Sequence, residues 1–240
     1  DGVVEELPRS RPRPAAMPPV SAFPTVFRSA LALAVAAACA ASTPGIQAAV
    51  IEDSCDSPQP TWSLASADTA PRMLAHDRNA AAARRGSAGE RFVIDASAGT
   101  TLTVEIPIGN AGVIDELAAE VWVRSNRPNI RIAAKVRLPH FPVSASGQPV
   151  EVLVPGTRSQ AIDRWQRLTV SGVPATLRRQ LPALHAQHGP HGSLAGAAVT
   201  HIVLELYSSP GRYEVAIDDL RVEGVVERTG GAGPRVGDFL

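Results

Sequence analysis

The sequence predicts an all-β domain, an antiparallel β-sandwich with one inserted amphipathic helix, and three observations lead there. From Val50 onward, short segments with alternating or β-branched apolar residues recur. Clusters of Gly, Pro, Asn and Ser separate them, as tight connections between antiparallel strands require. One stretch only, residues 174–188, changes to a helical period.

The predicted strands span residues 49–53, 91–94, 101–107, 116–125, 130–138, 150–154, 165–170, 200–207 and 213–223. In 116–125 the side chains of Leu117, Ala119, Val121 and Val123 share one face, and Glu120, Trp122 and Arg124 the other. The segment 130–138 divides in the same way, Ile130, Ile132, Ala134, Val136 and Leu138 against Arg131, Lys135 and Arg137. Near the end Ile202, Leu204 and Leu206 oppose His201, Val203, Glu205 and Tyr207. The last segment breaks its own parity: Val215 and Ile217 match Leu220 and Val222 only if one residue is inserted, which predicts a bulge at Asp218-Asp219. In 174–188, Leu177, Leu181 and Leu184 recur at helical spacing, and Pro182 predicts a kink or a fresh start. A breaker follows, Gly189-Pro190-His191-Gly192-Ser193.

The ends read differently. Residues 1–16 are Pro/Arg-rich, cannot build a core and read as upstream or disordered sequence. Residues 17–48 have the order of a signal peptide: Met17 as a start, Arg28 as the basic region, Ser29 to Ala41 as a short apolar core, and a cut after Ala48. The apolar run is too short and Ala-rich for a stable membrane span. Export to the periplasm, the cell surface or the medium follows from that leader. The mature domain is then 49–224, with 225–240 a Gly-rich linker or truncated tail.

Composition narrows the function. Basic and acidic residues balance at 23 each, which gives no electrostatic argument for nucleic acid or an anionic membrane. Of the two cysteines, Cys39 lies in the leader, so Cys55 is left as a single thiol and reads as a small buried hydrophobe. His185, His188 and His191 straddle a predicted helix end and loop, and read as a solvent-facing turn rather than a zinc site. No nucleophile elbow, phosphate loop or dinucleotide fingerprint occurs, so the chain reads as a non-enzyme.

Three patches resemble one family: Val50-Ile51-Glu52-Asp53 with Trp62 shortly after, Trp165-Gln166-Arg167-Leu168-Thr169-Val170, and Tyr213-Glu214-Val215-Ala216-Ile217-Asp218-Asp219-Leu220-Arg221-Val222. They resemble the galactose-binding-like jelly rolls of carbohydrate-binding modules. The whole stretch is also similar to the N-terminal module of large secreted proteins of planctomycete-type bacteria, where a glycoside-hydrolase-like domain follows. The resemblance implies a jelly roll, a polysaccharide or other glycan as ligand, and a downstream catalytic domain as a partner in the same chain. It also implies a structural Ca²⁺ between the first and last strands, held by Glu52 and Asp218 with Asp53 or Asp219 as alternates.

If the strands above share a sheet, Trp122, Arg124, Lys135, Arg137, Glu205 and Tyr207 form a glycan face. An indole stacks on the apolar side of a sugar while charged side chains bond its hydroxyls. The same pattern also fits a solvated face whose tryptophan is covered by the helix. The second function it leaves open is a structural domain packing on a glycoside-hydrolase-like neighbour.

Overall fold

Alternation of outward polar and inward branched residues keeps the chain extended through most of its length. The computed structural model describes residues 47–142 and 147–227. Of the predicted leader only Gln47 and Ala48 are described, residues 17–46 lying outside, and of the 225–240 tail only residues 225–227 are described.

The strands are β1 Gln47–Asp53, β2 Ser63–Ala67, β3 Arg72–Asn79, β4 Gly89–Ala96, β5 Leu102–Gly112 and β6 Ala118–Ser125. They continue as β7 Arg131–Leu138, β8 Val150–Arg158, β9 Gln166–Val170, β10 Ala198–Glu205 and β11 Gly211–Glu227. One helix, α1 Val173–His188, lies between β9 and β10. Every pairing is antiparallel, and the result is a jelly-roll sandwich of two sheets. One sheet has the order β3-β4-β11-β6-β9, the other β2-β5-β10-β7-β8. The long β11 ties them together: its second half pairs with β1, and its end reaches Asn110 and Ala111 of β5.

Between the sheets lies one apolar core, with Phe92, Val104, Val121, Ile132, Ile202 and Ile217 all at 1% exposure or less. The nine predicted strands are all present. β2 and β3 are additional, and neither shows an apolar face: β2 is almost wholly exposed, and β3 carries Arg72, His76, Asp77 and Arg78. Both are edge strands.

The parity break in β11 is a bulge. Register against β6 shifts between Asp218 and Arg221, and Asp219 takes a left-handed backbone with φ 49°. Val215, Ile217, Leu220 and Val222 are thereby all turned into the core. Helix α1 begins after Gly172 with Pro174 in its first turn, where proline sacrifices no hydrogen bond. It runs unbroken through Pro182 and ends when the Gly189 N–H donates to the His185 carbonyl at 2.9 Å. Val173, Leu177 and Leu184 pack into the core beside β8. None of the described helices is long and apolar enough to cross a membrane.

Candidate functional site

On the outer face of the β2-β5-β10-β7-β8 sheet, strand register places polar side chains in rows. Thr103, Glu205, Arg131 and Arg158 are successive cross-strand partners on β5, β10, β7 and β8. Arg131 grips Glu205 with two donors, Nη2 lying 2.7 Å from Oε1 and Nε also bonded. Four residues along, Lys135 pairs with Glu105 and aligns with His201. Val203 and Ala133 point to this same face yet are at most 1% exposed, because the long ion-paired side chains on either side close over them. Burial lowers the pKa of the His201 imidazole, against the pull of the Glu105 carboxylate.

At one end of this face the strand ends and their loops form an open cavity of about 400 Å³. Glu205, Arg131, Arg158 and Tyr207 line it, with the hydroxyls of Thr100, Thr101, Thr103 and Ser208 and the amide of Asn129. Tyr207 is fixed by its Oη, which accepts from Gly99 N at 3.0 Å, so its half-buried ring stands at the rim with a set orientation. The lining is thus rich in donors and acceptors for hydroxyl groups and holds one ring.

The six residues predicted for a glycan face do not share one sheet. Lys135, Arg137, Glu205 and Tyr207 lie on the face just described, and Glu205 and Tyr207 line the cavity. Arg137 reaches Asn110 Oδ1 at 2.9 Å. Trp122 and Arg124 are on β6, in the opposite sheet. The reason is topological: β6 joins β11 and β9 rather than the neighbouring hairpin partner β7. Trp122 is also covered, by the guanidinium of Arg84 instead of the helix, while Arg124 bonds the Ala81 carbonyl and lies over Trp165. Arg131 was legible from its parity with Lys135. Arg158 was not, since β8 continues four residues past the point where apolar alternation stops.

The two carboxylates assigned to calcium are engaged apart from each other. Glu52 is exposed and bonds Arg221 at 2.7 Å. Asp218 is fully buried and its oxygens accept the backbone N–H groups of Arg84, Arg85 and Asp219 at 2.6, 3.1 and 2.8 Å. Burial raises its pKa, against the pull of those three donors.

A closer group is formed by Asp53, Cys55 and Glu90, whose ligand atoms lie within 4.8 Å of one another, a spacing that can hold a metal ion. Calcium does not fit it. The fully buried Arg78 guanidinium already supplies the positive charge, with Nη2 2.7 Å from Asp53 Oδ2 and Nε 3.0 Å from Glu90 Oε2. The remaining Glu90 capacity is taken by the N–H groups of Thr61 and Trp62 and by His76. Burial, followed by the neighbouring Asp53, pushes the Cys55 thiol far above its ordinary range, and a neutral thiol is a poor ligand for a hard cation. His185 and His188 lie in the last turn of α1, and His185 Nε2 meets the Gly192 carbonyl at 2.9 Å.

No protein-family model matches the chain, and no curated protein does. Among solved structures it is similar to the xylan-binding CBM22 domain from a Paenibacillus barcinonensis protein, with 12% identity and a TM-score of 0.42 over 76% of this chain and 98% of that one. It is also similar to the family 11 carbohydrate-binding module from Clostridium thermocellum in complex with a β-1,3-1,4-mixed-linked tetrasaccharide, with 10% identity and a TM-score of 0.45 over 74% and 97%. A third is the family 30 module of a cellulosomal cellulase of the same organism, with 11% identity and a TM-score of 0.44 over 72% and 96%. At these identities and scores, none of the three carries its ligand over to this chain.

Proposed function

We propose that this chain is an exported, non-catalytic carbohydrate-binding module that takes a polysaccharide on the outer face of the β2-β5-β10-β7-β8 sheet. One observation carries the reading: the cavity that ends this face, lined by Glu205, Arg131, Tyr207 and threonine hydroxyls. Such a lining can exchange hydrogen bonds with many sugar hydroxyls at once, and Tyr207 offers a ring to a pyranose. Hydrolysis by the usual route takes two carboxylates flanking the bond. The lining holds one, Glu205, and Arg131 holds that one as an ion pair.

The test is titration calorimetry of the chain against a panel of soluble polysaccharides, repeated with Glu205→Gln. Binding of at least one glycan, weakened roughly tenfold by a substitution that removes a charged acceptor, supports the reading. Saturating amounts of every glycan without heat or a shift in unfolding midpoint would overturn it.

A second reading, a domain that packs on a glycoside-hydrolase-like neighbour, is favoured by Leu64, Met73 and Leu74. These exposed apolar side chains lie on the edge strands β2 and β3. The two readings are compatible, because Leu64, Met73 and Leu74 lie outside the cavity lining and each set can be mutated alone.

A further inference from the structure

The chemistry of the cavity points beyond a neutral sugar. Three charged side chains line it. Arg131 and Glu205 cancel each other in a two-point ion pair. Arg158, their neighbour in the same cross-strand row, is exposed and has no ion-pair or hydrogen-bond partner among the described residues. Asp68 borders the cavity through Thr100 and Thr101, but its oxygens are occupied by two backbone N–H groups and the Thr100 hydroxyl at 2.7 to 2.8 Å. Among the lining side chains one guanidinium is therefore uncompensated, beside a set of hydroxyl-binding groups; Asp68 keeps its charge but is not part of the lining.

Resting on the carbohydrate-binding reading above, we infer that the ligand is an anionic glycan, and that Arg158 binds its charged group. A planar guanidinium with five donors matches a carboxylate or a sulfate ester with two parallel hydrogen bonds. The Arg131–Glu205 pair stiffens the floor beside it and leaves Arg158 as the free cation, while Thr101, Asn129, Tyr207 and Ser208 take the hydroxyls of the same sugar. A cavity of about 400 Å³ has room for a sugar ring and its substituent. The anion is either a uronate carboxylate or a sulfate ester, and the two are separated by the choice of probe.

The experiment compares polygalacturonate, its fully methyl-esterified form, a sulfated galactan, and neutral xylan and mixed-linked glucan by affinity electrophoresis and calorimetry. The expected result is binding of an acidic polymer that falls on methyl-esterification and with added salt, and that Arg158→Ala weakens roughly tenfold or more. Binding of polygalacturonate identifies the carboxylate, and binding of the sulfated galactan alone identifies the sulfate ester. Arg158 is exposed and unpaired, so its replacement leaves the fold intact. Arg167→Ala, on the opposite sheet, serves as the control for general attraction and leaves affinity unchanged. Equal binding of neutral and acidic polymers, or an equal loss with both arginine variants, overturns the inference and leaves the carbohydrate-binding reading standing. Failure of every glycan to bind overturns both.

Discussion

The guanidinium of Arg84 lies 3.5 Å above the ring of Trp122, and its Nη1 is bonded to Asp219 at 2.6 Å. The indole that sequence parity offers as a sugar platform is thus already stacked, and the arginine is anchored to the bulge of β11. Trp122→Ala is expected to lower stability by about 2 kcal/mol, from the lost cation–π contact and half-buried ring area. It is expected to leave glycan affinity within twofold or so, since the ring lies outside the cavity lining. Urea unfolding and the calorimetric titration check the two halves separately. A large loss of affinity with unchanged stability would put the binding face on the other sheet.

Arg78 is the positive charge at the centre of a buried acidic cluster. Its side chain and that of Glu90 are both fully buried, and Asp53 is nearly so. Arg78→Ala would leave Glu90 and Asp53 without their cation, and breaking a buried pair from one side costs about 3–5 kcal/mol. The unfolding midpoint should fall steeply. EDTA or added Ca²⁺ should leave the midpoint of the unaltered chain where it is, because the guanidinium and backbone N–H groups already satisfy the carboxylates. A clear EDTA-dependent drop, reversed by Ca²⁺, would show that a metal holds this end of the sandwich after all.

The fold was legible because a half-buried strand writes its burial into alternate residues, as in the unbroken alternation of Ala118–Ser125. Even the bulge could be read, since Val215 and Leu220 cannot share a face without one extra residue. The edge strand Arg72–Asn79 could not, because its side chains serve ion pairs: Arg78 to Glu90, and Asp77 to Arg91. The site was half legible for a different reason. Parity shows which side chains share a face of one strand, but which strands share a sheet depends on long-range pairing. Trp122 and Lys135 sit only 13 positions apart, yet β6 pairs with β11 and β7 with β10.

Gly156 marks where the two sheets meet at one edge. A Cβ there would stand 2.3 Å from the Thr169 carbonyl oxygen and 2.7 Å from Ile132 Cγ2. Both are fixed, one by strand β9 and the other by the core, so neither can yield cheaply. β8 and β9 belong to different sheets, and Thr157 Oγ1 accepts Thr169 N across the same gap at 2.8 Å. Gly156→Ala is therefore expected to cost about 1–3 kcal/mol through overpacking. A thermal melt reads this directly, and an unchanged midpoint would mean that β8 can move away from β9 without loss.

Cys55 is fully buried with a left-handed backbone, φ 57°, next to Asp53 and Glu90. Burial, and then the Asp53 charge, raise its pKa, so the folded thiol keeps its proton where an unfolded one loses it near pH 8.5 or so. The sign of the linkage follows. Below that pH both states hold the proton and the contribution is full and constant. Above it the unfolded state binds fewer protons, and stability falls by up to about 1.4 kcal/mol per pH unit. In a Cys39→Ser background, a thiol reagent at pH 8 should leave the folded chain unmodified and react once per chain in denaturant. Urea titrations between pH 7 and 10 should show a steeper loss for the chain with Cys55 than for Cys55→Ala, since other groups titrate equally in both. Matching slopes, or rapid modification of the folded chain, would mean that solvent reaches the sulfur and that the cluster around Arg78 is open.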